Sequence, residues 1–479
     1  MTLLATALPS LSPFLALFLS LADAHPGFQA RLAAETNVAG GLTAAEAALR
    51  ADATSGEVEA RRAEIDAAVA AVDQTLVGYF PRLSGSARYT RFSAIDAPLL
   101  GVVVAAPGAP NGLLPTGTPL VNVPVSLPTP VNQTSFQASL AVPLSDYLLR
   151  VGPTHAAAAR AEDASRANLD ATARKVRADV RALYYAWART RLSALVADAA
   201  AEQAREHLGD ATKAAEAGTA SRADVLRVEA QLAVAEQASV RAHTLTTALE
   251  ARLRTVMHVD AGTPLAIGEP LDTDLVLVTP GRDLDRLAEA AARDRPEVRA
   301  LDAAIASLGK QARAAKGLIA PQLAVIGELT DANPNPRYVP APERFETTWS
   351  VTAQLSWSPN DAVTAAKAGA ALTARQAQAA AQRRALLDGV RVEIANALQA
   401  VDETASAQQT AARALVSAEE SYRVRRALFQ NGRATSVELT DAETELTRAR
   451  LDRVAARIDA RVAEVQLRHA LGDDGRADR

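Results

Sequence analysis

Two stretches, "AGTASRADVLRVEAQLAVAE" at residues 217–236 and "NGRATSVELTDAETELTRAR" at residues 431–450, carry one pattern twice. In each, a glycine ends one helical stretch and a capping box opens the next: Gly218 with Ser221-x-x-Asp224, and Gly432 with Thr435-x-x-Glu438. Apolar residues then recur at spacings of 3, 4 and 3, as Val225, Val228, Leu232 and Ala235, and as Leu439, Ala442, Leu446 and Ala449. That is the seam of a coiled coil, so each stretch reads as a turn between two antiparallel helices. The anchoring glycines lie 432 − 218 = 214 residues apart, close to half of the 479-residue chain.

The same offset holds upstream, where Val176-Arg177-Ala178-Asp179-Val180 lines up with Val390-Arg391-Val392-Glu393-Ile394. Earlier still, "YFPRLSGSARY" matches "IAPQLAVIGEL" and sets Pro81 on Pro321. Two tandem copies of one structural repeat are therefore expected, at 42–260 and 283–472, joined by a linker at 261–282. The first copy predicts helices at about 43–52 and 57–78, strands at 82–92 and 134–144, and helices at about 148–216 and 222–258. The second predicts helices at about 283–293 and 297–317, strands at 322–330 and 348–357, and helices at about 363–430 and 436–471. A helix over 148–216 would run roughly 100 Å at 1.5 Å per residue, too long for a globular core.

Composition agrees with a mainly α protein containing a small β part: aromatic residues are only 4%, and Ala, Leu, Glu, Gln and Arg fill the long stretches. A net charge of −4 with interspersed signs argues against a nucleic-acid partner. The absence of cysteine excludes disulfides and thiolate chemistry. The six histidines, at 25, 155, 207, 243, 258 and 469, lack metal-ligand spacing and read as scattered surface residues, so neither a metal nor a cofactor is expected. No nucleophile elbow, phosphate loop or convergent acid/base set stands out, and an enzyme is not expected. Residues 1–24 read as a signal peptide ending in Ala22-Asp23-Ala24, followed by an N-terminal extension at 25–41; residues 473–479 read as a disordered tail.

The strands point to a membrane. "WSVTAQLSW", residues 349–357, alternates strictly, with Trp349, Val351, Ala353, Leu355 and Trp357 on one face and Ser350, Thr352, Gln354 and Ser356 on the other. "FQASLAVPL" repeats the alternation from Phe136 to Leu144. Alternation over nine to eleven residues with aromatic ends suits a tilted strand in an outer-membrane barrel, with Phe136, Trp349 and Trp357 at the interfaces and Ser84, Ser86, Arg88, Ser350, Thr352 and Gln354 facing a wet lumen. Four strands cannot close a barrel. Two copies would supply eight with a filled interior, and three would supply twelve with room for a channel, which favours a homotrimer. The Pro- and Gly-rich segments at 93–133 and 331–346 read as exterior loops.

With these features the chain resembles the outer membrane efflux protein (TolC) family. The resemblance rests on "YFP" at 79–81, on "VRADVRALYYAW" and on the two glycine-led turns, and it covers about residues 42–472. It implies a trimer with a twelve-stranded transmembrane β-barrel, continued by antiparallel coiled-coil helices forming an α-barrel in the periplasm. It also implies a periplasmic adaptor (membrane fusion) protein, an inner-membrane transporter of RND, ABC or MFS type, and contact with outer-membrane lipid. The duct would serve tripartite efflux or type I secretion; a non-pore coiled-coil scaffold of the cell envelope is the alternative.

By the same resemblance a periplasmic gate falls on Glu438 and Asp441, with Asp224 as the first-copy counterpart of Glu438. The capping boxes offer a second role: Asp224 reads as a cap, Glu438 as cap or gate, and Asp441 as lining. The first copy carries Arg227 where the second has Asp441. The adaptor-contacting tips would be Gly218, Thr219, Ser221 and Arg222, with Gly432, Arg433, Thr435 and Ser436.

Overall fold

The computed structural model describes residues 28–95, 99–105, 116–117, 119, 121–126, 130–276, 281–339 and 341–473. The signal peptide and most of the tail expected from the sequence lie outside these residues. The chain divides into two compact units, one comprising Met1–Ile65, Ala164–Leu301 and Ala381–Arg479, the other Asp66–Asp163 and Asp302–Ala380.

The helices are α1 (Phe28–Glu35), α2 (Ala44–Thr54), α3 (Gly56–Leu76), α4 (Gly152–Glu216), α5 (Arg222–Met257), α6 (Leu284–Asp294), α7 (Pro296–Lys316), α8 (Pro359–Gln430) and α9 (Ser436–Leu471). The strands are β1 (Arg82–Arg91), β2 (Leu99–Ala105), β3 (Val121–Ser126), β4 (Asn132–Val142), β5 (Gln322–Asn333) and β6 (Glu346–Ser356). Helix, helix, strand, strand, helix, helix therefore occurs twice, as α2-α3-β1-β4-α4-α5 and as α6-α7-β5-β6-α8-α9. Two elements were not anticipated. The valine-rich ends of the 93–133 loop pair as the antiparallel hairpin β2–β3, and α1 lies within the expected N-terminal extension.

The first unit is helical, and its largest core surrounds Tyr184, Trp187 and Leu192 of α4, Leu253 and Met257 of α5, and Val58 of α3. Its middle is closed by backbone. The N-terminal segment runs beside the linker, with Asn37 and Val38 N–H donating to Glu269 and Ile267 at 3.0 and 2.9 Å. Leu42 N–H donates to Ala266 and Gly268 N–H to Leu42, each at 2.8 Å. Two tyrosines of α4 lock this pairing: Tyr184 donates to the Leu42 carbonyl at 2.8 Å and Tyr185 to the Glu269 carboxylate at 3.0 Å. Residues 28–42 are thus part of the core, because Leu32 is buried and the Arg450 guanidinium lies 4.5 Å over the Phe28 ring. The linker's later part is held by a row of arginines one turn apart on α9: Arg453 and Arg457 pair with Asp274 at 2.6 and 3.1 Å, and Arg461 donates to the Pro270 carbonyl at 3.1 Å.

The second unit carries a four-stranded antiparallel sheet in the order β1-β4-β5-β6. Its register sorts the two faces. Ser84, Ser139, Glu328 and Ser350 stand side by side across the four strands, and Ser86, Gln137, Thr330 and Thr348 form the next polar row. Alternating with them stand apolar rows, Leu83, Leu140, Gly327 and Val351, then Gly85, Ala138, Leu329 and Trp349; the row after these joins Ala87 and Phe136 to Asp331 and Thr347. A slip of one residue at any strand would mix the faces, so pattern and register support one another. Among the described residues, β1 and β6 each have a sheet neighbour on one side only. No described helix is long and apolar enough to cross a membrane.

The belt makes a sharp prediction. A Cβ on Gly268 would lie 2.3 Å from the Gly41 carbonyl oxygen, a backbone atom that cannot step aside. Gly268→Ala should destabilise the protein by about 2 kcal/mol in thermal or denaturant unfolding. Gly262→Ala, where a Cβ meets nothing within 4 Å, should stay within about 0.5 kcal/mol of wild type.

Candidate functional site

The two glycine-led turns both belong to the helical unit and share one geometry. Gly218 and Gly432 take left-handed φ of 76° and 66°, where only glycine avoids a Cβ penalty. Each ends its helix with paired bonds back to the last turn: Thr219 N–H to the Ala214 carbonyl at 2.8 Å with Gly218 to Ala215 at 3.1 Å, and Arg433 to Leu428 at 2.8 Å with Gly432 to Phe429 at 2.9 Å.

Three residues after each glycine the capping boxes close. Ser221 Oγ accepts from Asp224 N–H at 3.1 Å while the Asp224 carboxylate accepts from Ser221 N–H at 3.1 Å. In the second copy Thr435 N–H donates to Glu438 at 2.9 Å and Glu438 N–H to Thr435 Oγ1 at 3.3 Å. The Ser221 hydroxyl and backbone bonds hold the Asp224 carboxyl below the usual range; the Thr435 backbone bond, followed by Arg425, does the same for Glu438. Arg425 reaches Glu438 at 2.5 Å from the preceding helix, and Arg227 stands 3.7 Å from Asp224. Glu438 is thus built into a cap and an ion pair, whereas Asp441 is exposed and makes no comparable contact among the described residues.

The expected tip surface needs one correction. Thr219, Ser221, Arg222, Arg433 and Thr435 are exposed, but Ser436 is only 5% exposed and faces His207. As the first residue of α9 it points back against α4, and its hydroxyl lies 3.2 Å from His207 Nε2. His207 itself is buried, contrary to the surface placement expected of the histidines. Nothing in the spacing of the sequence could have joined residues 229 positions apart. The seam differs between copies as well: Leu439, Ala442, Leu446 and Ala449 are all buried, but in the first copy only Val228 is, with Val225, Leu232 and Ala235 half-covered.

The second candidate surface is the sheet. On its apolar face Phe136, Trp349 and Trp357 are 51%, 72% and 59% exposed, which a water-facing sheet would not sustain. Trp349 and Trp357 are eight residues apart, about 27 Å along the strand and near the 25 Å apolar band of a membrane barrel once tilted. Further exposed aromatics mark the same two levels: Tyr79 and Phe80 where β1 begins, and Tyr89 and Phe345 at the loop end, Phe345 packing 6.0 Å from Phe136. The opposite face is hydroxyl- and amide-rich, with Ser84 and Ser139 bonded at 2.7 Å and Gln137 donating to Glu328. At the end of β6, where the chain turns into α8, a groove of about 580 Å³ is lined by Leu318, Trp357, Asp361 and Ala365.

Comparison with known proteins follows this geometry. The model of the family described as "Outer membrane efflux protein" matches residues 47–257 and 287–473. No protein of curated function matches the chain by sequence. Similar solved structures include the outer-membrane channel OprN, at 18% identity and a TM-score of 0.71, with 90% of each chain covered. The Campylobacter jejuni CmeC outer membrane channel is 13% identical, with a TM-score of 0.69 over 92% of this chain and 89% of that one. The open state of the Neisseria gonorrhoeae MtrE outer membrane channel is 17% identical, with a TM-score of 0.66 over 90% and 88%. At these identities the likeness is one of fold.

The cap has a pH signature. A carboxyl whose folded pKa is depressed stabilises above its ordinary value and loses that contribution as pH falls. Glu438→Gln should therefore lower the Tm at pH 7, and the difference should start to shrink as pH falls past the ordinary carboxyl value of about 4.3 and vanish once Glu438 is protonated. Asp441→Asn should leave the Tm unchanged across that range.

Proposed function

The chain belongs to the outer membrane efflux protein family, and on that premise we propose that it is the outer-membrane exit duct of a tripartite efflux or type I secretion system. The observation that carries this reading is the two-faced sheet with two open edges: one polar face, one apolar face bounded by aromatics, and, among the described residues, no further strand to complete it. Three copies joined edge to edge make twelve strands, enough to enclose water rather than side chains. In this assembly the apolar face meets lipid, the polar rows line the lumen, and the groove at the end of β6 receives the next copy.

The helical unit is then the periplasmic part of the duct. Exposed Leu226, Val234, Val240 and Leu245 on α5 and Val392 and Val416 on α8 are apolar positions that a neighbouring copy would cover. The turns at 218–222 and 432–435 are the ends an adaptor would meet, while an inner-membrane transporter supplies the energy. Asp441, exposed on the turn after the cap, would bring three carboxylates around a threefold axis, with Glu438 adding three more at the rim. Such a ring attracts cations and narrows the path until the helices part.

Purified, detergent-extracted protein in a planar bilayer tests the reading. The expected result is a small, cation-selective conductance blocked by hexamminecobalt added from the helical side. Asp441→Asn with Glu438→Gln should weaken that block by about tenfold, a change of 1.4 kcal/mol. A non-conducting oligomer would leave a scaffold without a pore.

A further inference from the structure

Among the described residues His207 is the only buried histidine, and it sits about three turns before Gly218 on α4. It touches two other helices. Nδ1 lies 3.1 Å from Glu443 Oε2 and Nε2 lies 3.2 Å from Ser436 Oγ, both on α9, while the ring meets Phe429 of α8 edge-on with centroids 5.1 Å apart. Ser436 and Glu443 are themselves buried, at 5% and 7% exposure. The order hydroxyl, imidazole, carboxylate is that of an acyl-transfer triad, but a serine so enclosed leaves no room for a substrate carbonyl. The arrangement ties helices together instead.

An ionised carboxylate only accepts hydrogen bonds, so the neutral ring carries its proton on Nδ1 and takes the Ser436 hydroxyl hydrogen at Nε2. Protonation keeps both contacts, since a serine hydroxyl turns readily from donor to acceptor. What changes is charge: the bond to Glu443 becomes an imidazolium–carboxylate pair inside the bundle, shorter and stronger than its neutral form. All three helices carry further charged or polar groups. From α4 come Glu206 and Asp210, the first paired with Arg426 at 2.7 Å and the second accepting from Gln430 at 3.1 Å. From α8 come Arg426 and Tyr422, with Glu419 further along near Arg450 of α9. From α9 come Glu443 and Thr440, whose buried hydroxyl has no partner.

We propose that His207 is a proton-operated latch: protonated, it binds α4 to the first two turns of α9, the turns that carry Glu438 and Asp441, and holds the tip closed; deprotonated, it lets those turns part. The proposal rests on the reading of these turns as a gate. Because the added interaction belongs to the cation, it is present at low pH and lost as pH rises.

Hydrogen exchange over residues 436–446 of the purified protein, corrected for the intrinsic pH dependence of exchange, reads the latch without needing a pore. Wild type should be about fivefold better protected at pH 5.5 than at pH 7.5. Glu443→Gln keeps a hydrogen bond to Nδ1 but no ion pair, and should bring that ratio to about one; His207→Phe, which keeps the contact with Phe429, should do the same. A wild-type ratio of one, or a fivefold ratio that survives in Glu443→Gln, overturns the latch. Bilayer recordings then separate the two claims: wild type should open more at pH 7.5 than at 5.5, and Glu443→Gln equally at both. If the exchange ratio behaves as expected and no conductance is found, the latch stands and the duct reading falls.

Discussion

A backbone amide or carbonyl left unpaired in hydrocarbon costs several kcal/mol, and the outer strands β1 and β6 each present a row of them. Everything else about the β unit follows from satisfying those two edges. Among the described strands none is left to pair them, because β2 and β3 form their own hairpin. They can pair with each other across copies, which fixes the direction of closure: β1 of one copy beside β6 of the next. Such an interface is heterologous, and rings close under it only when the rotation per copy divides a full turn. For the proposed duct, strand count favours three copies over two, since eight strands hold side chains and twelve hold water.

The helical unit obeys a different constraint. Long helices built from alanine and charged residues have little apolar surface to bury, so their order depends on ends and straps. Both tips are stopped by a left-handed glycine and restarted by a capping box. Midway, backbone bonds between residues 37–42 and 266–269, sealed by Tyr184 and Tyr185, supply what small side chains cannot. The arginines on α9 that grip Asp274 and the Pro270 carbonyl extend the same belt.

Much of this was legible in the residues. Capping boxes, terminal glycines and strict alternation are local signals, and they placed α5, α9, β1 and β6 within one or two residues of where they lie. Long-range partners left no such mark. Ser436 reads as a turn residue because its neighbours are, and only the packing of α4 against α9 reveals that it faces His207. Residues 28–42 read as an extension because Gly41 and Gly268, whose close approach makes the belt possible, are far apart in sequence. The exposed aromatics are legible only in part: Trp349 and Trp357 belong to an alternating stretch, but Tyr79 and Phe80 precede a strand and Phe345 sits in a loop, where periodicity gives no face. Glu438 reads from the sequence as cap or gate, and the bonds from Thr435 N–H and from Arg425 on the preceding helix build it into the cap.

The central claim is that the free edge of β1 pairs with the free edge of β6 on another copy, three times over. Because the chain contains no cysteine, single cysteines placed along the outer rows of β1 and of β6 report that pairing without background. Oxidised in outer-membrane vesicles, one β1–β6 register should give covalent dimers and trimers and nothing larger, with closed trimer dominating at completion. Cross-linking that stops at dimer, runs past trimer, or fails at every register would contradict the account.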